Sequence, residues 1–150
     1  MKFSEEVHFV VNQMNQLSSK ETFEILKLRS EVFVEEQICI YLDPDDSDID
    51  AQHMRALTAD NELLAYSRIY LDEHWHIGRI STNSKSRGMG IGKAIVAKAV
   101  NYCKFENNSL PIEMSAQVYL TDFYLASGFE PIGSMYLEDG IPHLKMRYQV

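Results

Sequence analysis

Cysteine is scarce: the 150 residues hold only two, Cys39 and Cys103, far apart and without the paired spacing of metal sites or disulfide frameworks. A reducing cytoplasm is the expected compartment. Long apolar runs are missing too. No window approaches the ~18 consecutive apolar residues of a bilayer span, and no basic start followed by an apolar stretch marks Met1–Val11 as a leader. Basic residues are in the minority, 14 Lys and Arg against 22 Asp and Glu, for a formal net charge of -8. They do not cluster, and a phosphate backbone is held mainly by clustered cations, so nucleic acid is excluded as a partner. Repeats and low-complexity tracts are also absent, which leaves no place for a solenoid or an obvious linker.

What is present is the balance of one folded unit, 45% hydrophobic and 24% charged, taken as a single domain over residues 1–150. A chain of this length buries roughly 68–70% of its unfolded surface, enough to fold without metal or disulfide. Val7–Val11 is a run of strand length. Ser18 and Glu21 form a capping-box pair ahead of Phe23, Ile25, Leu26, Leu28, Val32 and Phe33, which predicts a helix near 19–35. Strand-like runs follow at Met54–Thr58, Leu63–Leu71 and His76–Thr82, the first two joined by an Asp60-Asn61 turn. An apolar stripe predicts a helix from Gly90 to about Lys104. A strand at Pro111–Ala116 comes next, then a helix around Leu120–Ser127 that Gly128 terminates. Pro131–Leu137 and Leu144–Gln149 flank Asp139-Gly140, a dipeptide suited to a tight hairpin. This order is α+β, with a central mixed, mainly antiparallel sheet of about seven strands flanked by helices.

Five acids fall within eight residues: Asp43, Asp45, Asp46, Asp48 and Asp50. Such a run is either a solvated loop or a concentration of negative charge that attracts a cationic partner. A calcium loop through Asp46, Asp48 and Asp50 fails, because Ala51 replaces the needed glycine and Leu57 stands where the bidentate acid belongs.

Arg87-Gly88-Met89-Gly90-Ile91-Gly92-Lys93 lies between an expected strand and an expected helix. Glycines there let the backbone turn tightly, and the helix start offers unpaired N–H groups and partial positive charge to an anion. The dinucleotide fingerprint is not met, since the spacing is G-x-G-x-G with no acid in register. The triphosphate loop is not met either, because Ala94 follows Lys93 where Ser or Thr is required.

What remains is Arg-x-x-Gly-x-Gly, filled by Arg87, Gly90 and Gly92, and it resembles the acetyl-coenzyme A site of the GNAT superfamily of N-acetyltransferases. Tyr124 with Gly128-Phe129 resembles that family's Tyr-x-x-x-Gly-Phe signature. Leu28-Arg29-Ser30-Glu31-Val32-Phe33-Val34-Glu35-Glu36-Gln37, Ile77-Gly78-Arg79-Ile80, Ala116-Gln117 and Glu138-Asp139-Gly140-Ile141-Pro142-His143 are similar to the ElaA-like branch. The similarity runs from about Ser18 to Tyr148.

The resemblance implies an acyl-CoA N-acyltransferase fold and an acetyl-CoA-dependent transfer to a primary amine of a small molecule or peptide, by direct attack in a ternary complex. Backbone N–H groups from Gly88 through Lys93, Met89 and Ile91 included, would bind the pyrophosphate, with charge from Arg87 and Lys93. Ile80 and Thr82 would meet the pantetheine arm as a pseudo-strand, Ile80 also giving its N–H to the thioester oxygen. Gln117 joins the cofactor set by the same likeness. Tyr124 would protonate the departing thiolate, its alternative being a buried tyrosine bonded to a backbone carbonyl.

The base is left open. An imidazole with its ordinary pKa of about 6.5 suits the task, and His76 lies near where some GNAT enzymes place a carboxylate base. His74 alternates onto the same strand face, so the pair could instead be a metal half-site or plain surface. Glu36, His53 and His143 are rivals and candidate substrate-binding residues. No metal is expected at the site, and neither cysteine stands in a nucleophile context. A cationic amine is the favoured acceptor and a homodimer is compatible with the chain. The competing reading is a non-catalytic coenzyme A-binding module that senses acyl donor or docks a partner.

Overall fold

The computed structural model describes residues 6–149. Eight strands form one sheet: β1 (His8–Gln13), β2 (Gln52–Leu57), β3 (Leu63–Leu71), β4 (Trp75–Thr82), β5 (Ile112–Gln117), β6 (Phe129–Pro131), β7 (Tyr136–Glu138) and β8 (Ile141–Tyr148). The spatial order is β1-β2-β3-β4-β5-β8-β6, with β7 also on β8. Only β4 and β5 run parallel. The helices are α1 (Ser19–Ser30), α2 (Ser47–Asp50), α3 (Ile91–Glu106) and α4 (Thr121–Ala126). No helix among the described residues is long and apolar enough to cross a membrane.

The local signals act as their chemistry dictates. Ser18 Oγ accepts the Glu21 N–H at 3.1 Å and Glu21 Oε1 accepts the Ser18 N–H at 2.7 Å, closing the capping box that starts α1. Asp139 and Gly140 both take positive φ, 51° and 77°, and join β7 to β8 through the pair Glu138↔Ile141. Gly128 ends α4 at φ 96°, and a Cβ there would stand 2.7 Å from the Tyr148 ring, so the position admits glycine on two counts.

Three expected elements differ. The helix expected to Glu35 is regular only to Ser30, after which Glu31–Glu36 widens into a π-helical turn. The single strand expected at Pro131–Leu137 is two short ones, β6 and β7, broken around Gly133. The aspartate run is not a solvated loop. Asp43 and Asp48 are buried, Ser47–Asp50 forms a helical turn, and only the remaining acids reach solvent.

The sheet buries both faces. On one, α3 lays Ile91, Ile95, Val96, Ala99, Val100 and Cys103 against Met54, Ala56, Ala65 and Ile69, each large apolar side chain contributing about 1.5–3 kcal/mol of burial. On the other, α1 sets Ile25 and Leu28 against Leu57, Leu63 and Tyr66. Alternation along β2 therefore sends His53 and Arg55 to the α1 face and Met54 and Ala56 to the α3 face. The second face is the polar one, and its charges are internally paired. Arg29, 0% exposed, meets Asp43 at 2.8 Å and Asp48 at 2.7 Å. Arg68 meets Asp45 and Asp48, and Arg79 meets Asp43 at 2.9 Å.

Candidate active site

β4 and β5 make only two pairs, Trp75↔Ile112 and His76↔Glu113, and then part. On its other side β4 slips register against β3 between Tyr66↔Ser81 and Arg68↔Gly78, leaving Arg79 and Ile80 without a partner in either neighbour. This is a bulge, and Arg79 sits in it at φ 49°, a conformation a non-glycine residue adopts only when its surroundings impose it. The imposing contacts are Arg79 Nε to Asp43 Oδ1 at 2.9 Å and Nη2 to the Asp43 carbonyl at 2.8 Å.

The parted strands open a cleft of about 670 Å³. Its walls include Ile80 on β4, Gln117 on β5, Tyr124 on α4 and Phe33 on the π-helical turn. Gln37 Nε2 donates to Gln117 Oε1 at 3.0 Å, tying the end of the π-helical turn to the end of β5.

At the far end of β4 the chain enters the glycine-rich turn. Gly88 and Gly90 take φ 80° and 82°, and a Cβ on either would meet nothing within 4 Å, so the turn faces open space. Gly90 is the N-cap of α3 and its carbonyl accepts the Ala94 N–H at 3.0 Å, which leaves the first amides of the helix directed outward. Gly92 packs beside Thr82 Oγ1 and the Phe123 ring, so this helix start borders both β4 and α4. The Ile91 side chain is buried in the core, and only its amide can face a ligand. Arg87 donates to both oxygens of Glu36, at 2.7 and 3.1 Å, and to the Thr82 carbonyl at 3.1 Å.

Tyr124 is 6% exposed and lines the cleft. Burial pushes its phenol up to about 12. Among the described residues its hydroxyl makes no hydrogen bond, to a backbone carbonyl or to any other group. His76 also lines the cleft, stacked on Tyr70 at 4.3 Å with Nε2 2.8 Å from Asp72 Oδ1. His143 stands opposite, where its Nδ1 donates to the Ile141 carbonyl at 2.7 Å and Nε2 lies 3.6 Å from Glu138.

Two expected substrate-binding residues are placed elsewhere. Glu36 is engaged by Arg87 and is not part of the cleft wall. His53 is 1% exposed, accepting from the Tyr66 hydroxyl at 2.6 Å and donating to the Asp48 carbonyl at 2.9 Å, so it has no surface to offer a substrate. Its burial lowers the imidazole below its ordinary value. The unfolded chain then binds more protons than the folded one from about pH 6.5 downward to that lowered value, and stability falls with acid across this window. Melting temperature should decline below about pH 6.5, before ordinary carboxylates titrate, and His53→Gln should flatten that stretch of the profile.

Cys103 is fully buried, its thiol pushed up to about 12 by desolvation. Cys39, part-exposed, contacts the Asp139 carbonyl. Residues missed in the sequence are Arg79 and Asp43, which shape the bulge, and the only available signal was the Ile77-Gly78-Arg79-Ile80 likeness.

A family model of the acetyltransferase (GNAT) domain matches residues 19–150. The chain belongs to the GNAT acetyltransferase family. Protein ElaA of Escherichia coli is 36% identical over 91% of this chain and 92% of its own, and a Synechocystis protein is 37% identical over 97% of both. The crystal structure of E. coli ElaA superposes with a TM-score of 0.88, at 32% identity over 95% of this chain and 99% of that one. An acyl-CoA N-acyltransferase from Pseudomonas aeruginosa gives 0.87 at 35% identity, with the same coverage. This GNAT enzyme is therefore of the ElaA-like branch, with an acyltransferase fold and acyl transfer as its general chemistry.

Proposed function

We propose that the protein transfers an acetyl group from acetyl-CoA to a primary amine by direct attack within a ternary complex. The observation that carries this reading is the slot between β4 and β5, with the unpartnered Arg79–Ile80 segment and the free Tyr124 hydroxyl lining one cleft.

The residues fit the donor. Amides from Gly88 through Lys93 face open space at a helix start and suit a pyrophosphate, with Lys93 and Arg87 adding charge. Arg87 reaches that ligand by exchanging Glu36 for phosphate. The edge of β4 from Ile80 to Thr82 suits an amide-bearing arm laid alongside it, with Gln117 facing it across the slot. Acetyl-CoA supplies the activated acyl group. The Ile80 N–H, already free of strand pairing, stabilises the oxyanion that develops on attack. Tyr124 donates its proton to the leaving sulfur, and its raised pKa keeps that proton in place at neutral pH.

A lysine-like amine is about one part in a few thousand neutral at pH 7, so a base must take its proton. His76 and His143 both border the cleft, directly or through water, and the kinetics of His76→Gln against His143→Gln separate them. Within the aspartate run Asp43, Asp45 and Asp48 are matched by Arg29, Arg68 and Arg79, and Asp46 and Asp50 lie off the cleft wall, so the run is a poor source of attraction for the amine. The carboxylates that remain for a cationic acceptor on the cleft wall are Glu138 and Asp139, beside His143.

The test is incubation with acetyl-CoA and a panel of primary amines, monitored for free thiol. Amine-dependent thiol release is the expected result. Tight binding of acetyl-CoA with no release across the panel would replace this reading with a coenzyme A-binding module.

A further inference from the structure

We infer that the β3–β4 hairpin is a binding site for one late first-row divalent metal ion, held by Asp72, His74 and His76 at the edge of the cleft. One donor atom from each of these three side chains lies within 4.8 Å of the other two. Two ligands of a tetrahedral ion with bonds of ~2.0–2.1 Å stand ~3.3 Å apart, so small side-chain rotations bring the three donors to one centre.

The scaffold is rigid where a chelate needs it. Leu71↔Trp75 closes the hairpin, and the turn is fixed by Asp72 N–H to the His74 carbonyl and His74 N–H to Asp72 Oδ1, both at 3.2 Å. Residues i and i+2 of a strand share a face, and the rings of His74 and His76 accordingly lie 4.1 Å apart. Tyr70 backs His76 in a parallel stack. Asp72 Oδ1 is 2.8 Å from His76 Nε2, and Glu113 Oε1 is 3.3 Å from His74 Nε2, so each imidazole also has a carboxylate beside it. Arg147 holds the other oxygen of Glu113, which keeps that carboxylate as the orienting partner of His74. Both histidine side chains are about a quarter exposed, 24% and 28%, within reach of an ion from solvent.

Two imidazoles and one carboxylate leave a position for water and suit Zn²⁺, Ni²⁺ or Cu²⁺, whereas Mg²⁺ and Ca²⁺ prefer oxygen donors throughout. From the sequence no metal is expected and His74 with His76 reads as a half-site or plain surface; the fold adds Asp72, which strand alternation does not place beside them.

Zn²⁺ titrated into untagged protein against a chromophoric chelator tests the site without recourse to catalysis. The expected result is about one Zn²⁺ per chain with micromolar affinity, undisturbed by excess Mg²⁺ and by Cys39→Ser. His74→Ala and Asp72→Asn, both on the exposed hairpin, should each weaken binding about tenfold or more. Failure to bind stoichiometrically, or binding that survives both substitutions, overturns the site. Since occupancy is read directly, either outcome leaves the acyl-transfer reading to its own assay.

Discussion

Tyr124→Phe should lower the turnover of acyl transfer by about 10²–10⁴-fold, the range of a lost general acid, while the melting temperature stays where it was. The second half of that expectation comes from the structure. A tyrosine hydroxyl stabilises the fold mainly through its hydrogen bond, but this one, on the cleft wall, has no partner among the described residues, so its removal costs the folded state little. The ring itself keeps its edge contacts with Phe123 and Phe129, which the phenylalanine retains. KM for acetyl-CoA should change far less than kcat, because the proton is needed only as sulfur departs. Steady-state kinetics with a thermal melt on the same samples check it. An unchanged kcat would move the acid to another group on the cleft wall.

The features that were legible in the sequence are those whose cause is local. The capping box at Ser18 and Glu21, the Asp139-Gly140 turn, the Gly128 stop and the glycine-rich turn each depend on a few consecutive residues, and all formed as read. The bulge that opens the cleft was not legible. Arg79 has no intrinsic preference for φ 49°, and the groups that hold its side chain, Asp43 chiefly, with Asp45 and Tyr41, are all distant in sequence. The aspartate run misled for the same reason. Asp43, Asp45 and Asp48 look solvated when their cations stand 14 to 36 positions away on α1, β3 and β4. Glu36 likewise gave no sign that Arg87, 51 positions on, would claim it. Residue type and spacing thus located the glycine-rich turn and the start of α3, the region proposed for the donor. The bulge that opens the cleft rests on long-range ion pairs that periodicity does not encode.

Those ion pairs carry the second large expectation: Arg29→Met should destabilise the protein by about 3–5 kcal/mol, because it leaves Asp43 and Asp48 buried without their principal cation. Against a total stability of about 5–15 kcal/mol this is a large share, and at this chain length it corresponds to a melting temperature about 6–20 °C lower. Burial alone would raise the Asp48 carboxyl, yet the Arg29 hydrogen bonds, the Asp45 amide and the nearby arginine charges hold it well below the usual range. That stability is present above about pH 3.9 and is lost as pH falls toward the lowered folded value, so the mutant's deficit should narrow in strong acid. Arg79→Met separates stability from function. Its side chain is a fifth exposed and Asp43 would keep Arg29, so the melting temperature should drop much less than in Arg29→Met. The bulge, however, would lose the contacts that impose its backbone, so turnover should fall out of proportion to stability. Equal melting temperatures for the two variants would mean that Arg29 is not the centre of the cluster. An Arg79→Met enzyme with wild-type turnover would mean that the bulge holds its shape without Asp43.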